Sequence, residues 1–147
     1  MLKKIDHVNV VVSDLARARN FFCKLGFVVT HAGDLAGEWI SAIVGLADVR
    51  ASYLQLALGE TDCRLELIAF ESPPSPPATP ENRPHHIGIR HMAFAVDDIE
   101  ALVADLKDDG IAFFSDVQTY SATGKKLVYC YGPDGIILEF AQYGEAP

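Results

Sequence analysis

The run Ile5-Asp6-His7-Val8-Asn9-Val10-Val11-Val12 is dominated by β-branched residues and reads as a short strand. Ser13-Asp14 follows as a helix N-cap, and Leu15 to Leu25 predicts a helix stopped by Gly26. The same punctuation returns later at one fixed spacing and without a gap. Ile89 matches Ile5, His91 matches His7, Val96 matches Val12, Asp98 matches Asp14 and Gly110 matches Gly26. Strand, cap, helix and stop agreeing at a single offset imply a duplicated structural unit.

Further strands are predicted after each helix. In the first half they fall at Phe27 to Thr30, a stretch near Trp39 to Val44, Ala51 to Leu58 and Arg64 to Phe70. In the second they fall at Ala112 to Phe114, Leu127 to Tyr131 and Ile136 to Tyr143, the last two joined at the turn signal Gly132-Pro133-Asp134-Gly135. The longer first half carries extra residues from Gly33 to Val49, a candidate lid or entrance wall. Six prolines between positions 73 and 84 exclude a helix or a central strand there and predict a polyproline-like linker. The expected organisation is a first module over 1–70, a linker over 71–88 and a second module over 89–147, together one domain. The fold class is α+β: each module reads as strand, helix and about three strands, with its helix on one face of its sheet. Two such sheets side by side make a curved surface whose concave side must be filled.

Strand alternation then sorts the polar residues. His7 shares a face with Ile5, Asn9 and Val11, while Val8, Val10 and Val12 face the helix. His91 likewise shares a face with Ile89, Ala93 and Ala95, opposite Met92, Phe94 and Val96. Leu65-Glu66-Leu67 and Leu138-Glu139-Phe140 each set one carboxylate in an apolar strand, projecting to the side of the histidines. Such a carboxylate is costly unless paired, hydrogen-bonded or bound to metal. Taken singly, a histidine or glutamate in a strand is usually ordinary core or surface. Two equivalent pairs registered by a repeat point instead to a His2Glu2 site on the pseudo-two-fold axis. Imidazole and carboxylate without thiolate suit one divalent ion, Zn, Ni, Co, Mn or Fe(II).

Composition narrows the classes. Half of the residues are hydrophobic and the formal charge is −8, which argues against a nucleic-acid surface. No segment has the apolar length of a membrane span, and no signal-type stretch precedes the first strand, so a cytoplasmic location is expected. Cys23, Cys63 and Cys130 form no C-x-x-C pair and read as buried free thiols.

With these residues in place, the chain resembles the vicinal oxygen chelate superfamily, which includes glyoxalase I, methylmalonyl-CoA epimerase, extradiol dioxygenases and antibiotic-resistance proteins. The likeness rests on Asp6-His7-Val8, on Arg90-His91-Met92-Ala93-Phe94 leading to Val96-Asp97-Asp98-Ile99, and on Gly132-Pro133-Asp134-Gly135 before Leu138-Glu139-Phe140. It implies paired βαβββ modules forming a cup-like mixed sheet around a metal, commonly in a homodimer. His7, Glu66, His91 and Glu139 fill the glyoxalase I ligand order; the epimerase pattern normally has Gln where Glu66 stands. A dioxygenase would need only a His, His, Glu triad, and bleomycin-type binding proteins generally lack the ligands. Val11 and Phe70 stand where bacterial glyoxalase I has an arginine and an asparagine that hold glutathione, which points to another substrate.

The resulting expectation is a metal-dependent enzyme acting on a small molecule with vicinal oxygens, as an isomerase, lyase or epimerase. The metal would stabilise an enediolate or enolate while Glu66 or Glu139 carries the proton. The alternatives are a ring-cleaving dioxygenase and a non-catalytic binding protein. Asn9 and Arg64 share faces with ligands and are expected to contact substrate. Trp39, Tyr129 and Tyr131 read as wall and core, and Glu38 as a possible separate base in the long loop. Gly124-Lys125-Lys126 reads as a tight turn, with an anion contact as the other reading, and His85 and His86 as surface residues.

Overall fold

The protein is described by a computed structural model covering residues 1–77 and 82–144. It divides into two compact units, Met1–Pro77 and Ala78–Pro147. In the first, β1 (His7–Val11), α1 (Leu15–Lys24), β2 (Val28–Ala36), α2 (Glu38–Val44), β3 (Arg50–Ala57) and β4 (Arg64–Ser72) follow in order. The second contains β5 (His91–Ala95), α3 (Ile99–Asp108), β6 (Gln118–Tyr120), β7 (Lys125–Tyr131) and β8 (Ile137–Gln142). Each unit holds one four-stranded mixed sheet, ordered β1-β4-β3-β2 in the first and β5-β8-β7-β6 in the second.

The helices begin and end as the repeat requires. Asp14 accepts the Arg17 amide at 2.9 Å, and Asp98 accepts the Ala101 amide at the same distance. Gly26 (φ 94°) and Gly110 (φ 79°) end them in left-handed geometry that a residue with a Cβ enters only at a cost. Ala18 and Phe22 form the buried stripe of α1, and Ile99, Val103 and Leu106 that of α3. Phe22 is wholly buried, with edge-to-face contacts to Phe21 and Phe27; its burial contributes roughly 1.5–3 kcal/mol. Leu65 and Leu67 of β4, and Leu138 and Phe140 of β8, supply the sheet side of the two cores.

β1 is parallel to β4 and β5 is parallel to β8, a pairing that needs the long crossover each unit provides. β7 and β8 form the expected hairpin. Its turn places Asp134 (φ 54°) and Gly135 (φ 76°) in the left-handed region, and the Gly132 amide donates to the Ile136 carbonyl at 2.8 Å.

Five expectations are corrected. The stretch near Trp39 to Val44 is the helix α2, not a strand. Gly37 and Gly45 bracket it, Gly45 in left-handed geometry, and these stops override the β-branched content. Trp39 is 58% exposed rather than core, because α2 buries Ile40 instead. Ala112 to Phe114 makes only an isolated bridge, Phe113 to Cys130; the fourth strand is the short β6, whose polar Gln-Thr sequence gave no apolar signal. Cys23 is exposed, on the outer side of α1, while Cys63 is half-buried and Cys130 buried. The extra length from Gly33 to Val49 is not a free loop either: β2 runs on to Ala36 against β3, and Glu38 begins α2. Of the linker, residues 78–81 lie outside the described residues.

Two outcomes follow from this packing. Asp14→Ala and Asp98→Ala each remove an N-cap and should lower stability by about 1 kcal/mol in urea unfolding. Burial pushes the Cys130 thiol up to about 12 from 9.0. The unfolded chain therefore ionises this group first, and the stability it contributes, complete below pH 9, should drain away as pH climbs from 9 toward 12. Cys130→Ala should flatten that alkaline decline in pH-dependent unfolding midpoints, and native Cys23 should alkylate at pH 8 while Cys130 does not.

Candidate functional site

In each unit the parallel pairing of the first and last strands sets a histidine beside a glutamate. β1 aligns His7 with Arg64 and Asn9 with Glu66; β5 aligns His91 with Ile137 and Ala93 with Glu139. The imidazole of each unit is thus two residues along the strand from the partner of its carboxylate, in the same register both times. His7 Nε2 lies 3.7 Å from Glu66 Oε1, and His91 Nε2 lies 3.3 Å from Glu139 Oε2. Four of the expected site residues therefore fall into two pairs, one within each unit. Among the described residues no cluster of three or more His, Cys, Asp or Glu side chains is present.

The pairs have different surroundings. In the first unit Asp6 Oδ2 accepts from His7 Nδ1 at 2.9 Å, which fixes the tautomer and leaves Nε2 a free lone pair on the Glu66 side. That hydrogen bond also holds the Asp6 carboxyl below its ordinary value. Asn9, expected as a substrate contact, donates to Glu66 Oε1 at 3.2 Å. Arg64 shares the face of Glu66 and donates to the Thr61 carbonyl in the turn before β4. Gln55 of β3 is the cross-strand neighbour of Glu66, and His31 of β2 stands next to Gln55 with its ring 5.7 Å from that of Tyr53.

In the second unit Glu139 is 7% exposed, in a strand whose other members are apolar apart from Gln142. Tyr129 is its cross-strand neighbour on β7 and hydrogen-bonds to it. Burial, together with the charge of Glu139 and this hydrogen bond, raises the Tyr129 phenol above its usual value, so it remains a neutral donor at physiological pH. The Tyr129 ring also lies 5.0 Å from that of His91. Lys125, the first residue of β7, brings its Nζ to 3.4 Å from Glu139 Oε1 and 5.0 Å from the Tyr143 ring centre. Desolvation pulls the Lys125 ammonium down, but the hydrogen bond and charge of Glu139 outweigh it and hold the group above the usual lysine value.

Beside this pair is a cavity of about 410 Å³, lined by Phe114, Gln118, Tyr120, Leu127 and Tyr129 among others. Tyr129 is the shared wall between the cavity and His91. This is the size and lining of a small-molecule site.

The sequence model of the Glyoxalase/Bleomycin resistance protein/Dioxygenase superfamily matches residues 4–140. The chain belongs to this superfamily. Its similarity to the uncharacterized protein YaeR of Escherichia coli is 30% identity over 94% of this chain and 95% of that protein. It is 29% identical to the mitochondrial methylmalonyl-CoA epimerase of Mus musculus, over 96% of this chain and 74% of the epimerase. The crystal structure of a glyoxalase family protein from Bacillus cereus superposes with a TM-score of 0.88 at 26% identity, covering 97% of this chain and 95% of that one. Superfamily membership agrees with the resemblance carried by the His7 and His91 strands and the Gly132–Gly135 turn.

Sequence reasoning missed three groups at the site. Asp6 could have been found as the carboxylate adjoining His7, a common way to orient a ligating imidazole. Gln55 could have been found as a lone amide inside the apolar run of β3. Lys125 was legible as part of a turn with an anion contact as its other reading, but its partner Glu139 was not, because that contact depends on β7 pairing with β8.

Proposed function

We propose that this protein is a metal-dependent, glyoxalase-like enzyme that abstracts a proton next to a carbonyl, of isomerase, lyase or epimerase type. His7, Glu66, His91 and Glu139 serve one divalent ion, Zn, Ni, Co, Mn or Fe(II). The observation that carries this reading is the duplicated His–Glu pair, with nitrogen and oxygen 3.7 and 3.3 Å apart. Two ligand atoms each about 2.0–2.2 Å from one ion stand roughly 3–3.5 Å from each other, so both pairs are close to ligand spacing. The donor set also fits: two imidazoles and two carboxylates leave a divalent ion formally neutral.

When bound, such an ion supplies Lewis acidity toward two neighbouring oxygens of a small substrate, which acidifies the adjacent C–H. The chain's own residues do the rest. Asp6 holds His7 in the ligating tautomer. Tyr129 and Lys125 hold Glu139, which is buried. Glu66 is half-buried and faces the neutral amide of Asn9, so it has more freedom to swing toward a substrate carbon, take the proton and return it. The cavity beside Tyr129 receives an apolar arm of the substrate and keeps water from that side. A homodimer acting in the cytoplasm, without nucleic-acid or membrane partners, completes this reading; among the described residues no helix is long and apolar enough to cross a membrane.

The test is metal analysis of the purified protein followed by deuterium wash-in from heavy water across 2-oxo thioesters, hemithioacetals and acyl-CoA esters. One ion per chain is expected, with exchange abolished by chelation and restored by one particular metal. Glu66→Gln should cost about 10²–10⁴-fold in exchange rate. Oxygen uptake requiring Fe(II) and indifferent to Glu66→Gln would show ring cleavage instead, and ligand retention without exchange would show a binding protein.

A further inference from the structure

We infer that the cavity of the second unit takes a flat, uncharged aromatic ring that carries a hydrogen-bond donor. This names the substrate arm assigned to the cavity above and rests on that reading for the ring's part in a reaction. The binding itself needs no metal and no residue of the first unit.

Strand register builds the wall. Across β6 and β7, Gln118 pairs with Leu127 and Tyr120 with Lys125, so alternation sets Gln118, Tyr120, Leu127 and Tyr129 on one face. Phe114 joins them from the preceding segment. Its amide donates to the Tyr129 carbonyl at 2.9 Å, and its ring stands edge-on to that of Tyr129 with centres 6.0 Å apart. Tyr131 backs the Phe114 ring at 4.6 Å. The lining on this face is therefore mostly aromatic, with Leu127 as its aliphatic member. Phe114 is 39% exposed and Tyr120 59%, so both rings gain by being covered. An aromatic ligand adds edge-to-face or offset attraction that a saturated ring lacks. The volume agrees: about 410 Å³ is well over the ~150 Å³ that encloses one benzene, which leaves room for a bicyclic ring.

The polar groups fix the chemistry of the ring's substituent. Ser115 Oγ donates to the Asp116 carbonyl at 2.8 Å, and Gln118 Nε2 donates to the same oxygen at 2.9 Å. Both side chains thus turn a donor to the backbone and leave Gln118 Oε1 and the Ser115 lone pairs as open acceptors. The Tyr129 hydroxyl is likewise committed to Glu139. Among the described residues, no side chain lining the cavity is charged. An O–H or N–H on the ring is matched by these acceptors, whereas a carboxylate would lose water without gaining a cation.

The full chain, as purified and again in EDTA, is titrated with 2-naphthol, decahydro-2-naphthol, 2-methoxynaphthalene and 2-naphthoate, followed by ¹H–¹⁵N spectra. In both buffers 2-naphthol should bind, with amide shifts centred on residues 114–120 and 127–129. It should bind about fivefold more tightly than the saturated alcohol or the methyl ether, and about tenfold more tightly than naphthoate. Phe114→Leu combined with Tyr120→Leu should bring 2-naphthol and the saturated alcohol within about twofold, in a spectrum unchanged away from the cavity. Gln118→Leu should erase the preference over the methyl ether and leave the preference over the saturated alcohol. Shifts centred elsewhere, equal binding of the saturated alcohol, or a preference that survives the double variant overturns the inference. Naphthol binding in a protein that exchanges no substrate proton sustains the ring site and overturns the metal reading alone. Exchange in a protein that does not bind naphthol keeps that reading and overturns the ring site.

Discussion

The parallel pairing of β1 with β4, and of β5 with β8, is the constraint on which the site depends. A histidine near one end of the chain segment and a glutamate near the other become neighbours only because those two strands lie side by side in a fixed register. A slip of one residue would send Glu66 or Glu139 into the helix-facing core and bring Leu65, Leu67, Leu138 or Phe140 out to the histidine. The apolar faces under α1 and α3 therefore specify more than stability. By refusing a charged residue on the packed side, they hold each carboxylate on the side of its imidazole.

That arrangement carries a cost that a purely structural strand would avoid. Glu139 sits among buried apolar residues, where leucine would fold more easily, and its charge is held by Lys125, Tyr129 and His91 together. A carboxylate maintained in this setting is expected where chemistry needs it. Glu66 reaches the same position with milder support from Asn9, and His7 has an orienting carboxylate, Asp6, where the residue before His91 is Arg90. Arg90 instead donates to Asn82, whose own amide donates to the Gly135 carbonyl, so in the second half this position ties the linker to the β7–β8 turn. The two halves share the His–Glu pairs, while the residues around them differ.

Most of the repeat was legible in one dimension because it rests on local physics. Asp14 and Asp98 cap, Gly26 and Gly110 stop, and alternation assigns Val8, Val10 and Val12 to one side; each of these is decided within a few residues. The errors share an opposite cause. Trp39 to Val44 has strand-like composition, yet two bracketing glycines and the burial of Ile40 make it a helix. β6 is polar along its length and exists only because β7 offers it an edge to pair with. Residue type alone predicts a buried Cys23, whereas the helical phase set by Ala18 and Phe22 turns it outward.

The sequence by itself determined the duplicated α+β pattern, the boundaries of α1 and α3, and the placing of His7 with Glu66 and of His91 with Glu139 on one face of their strands. These follow from periodicity and from the cost of burying a charge, which are properties of short segments. Only the tertiary structure decided that Asn9 serves Glu66, that Asp6 orients His7 and that Lys125 and Tyr129 hold Glu139. Those contacts join residues through strand register and side-chain reach, and local propensity contains no record of either.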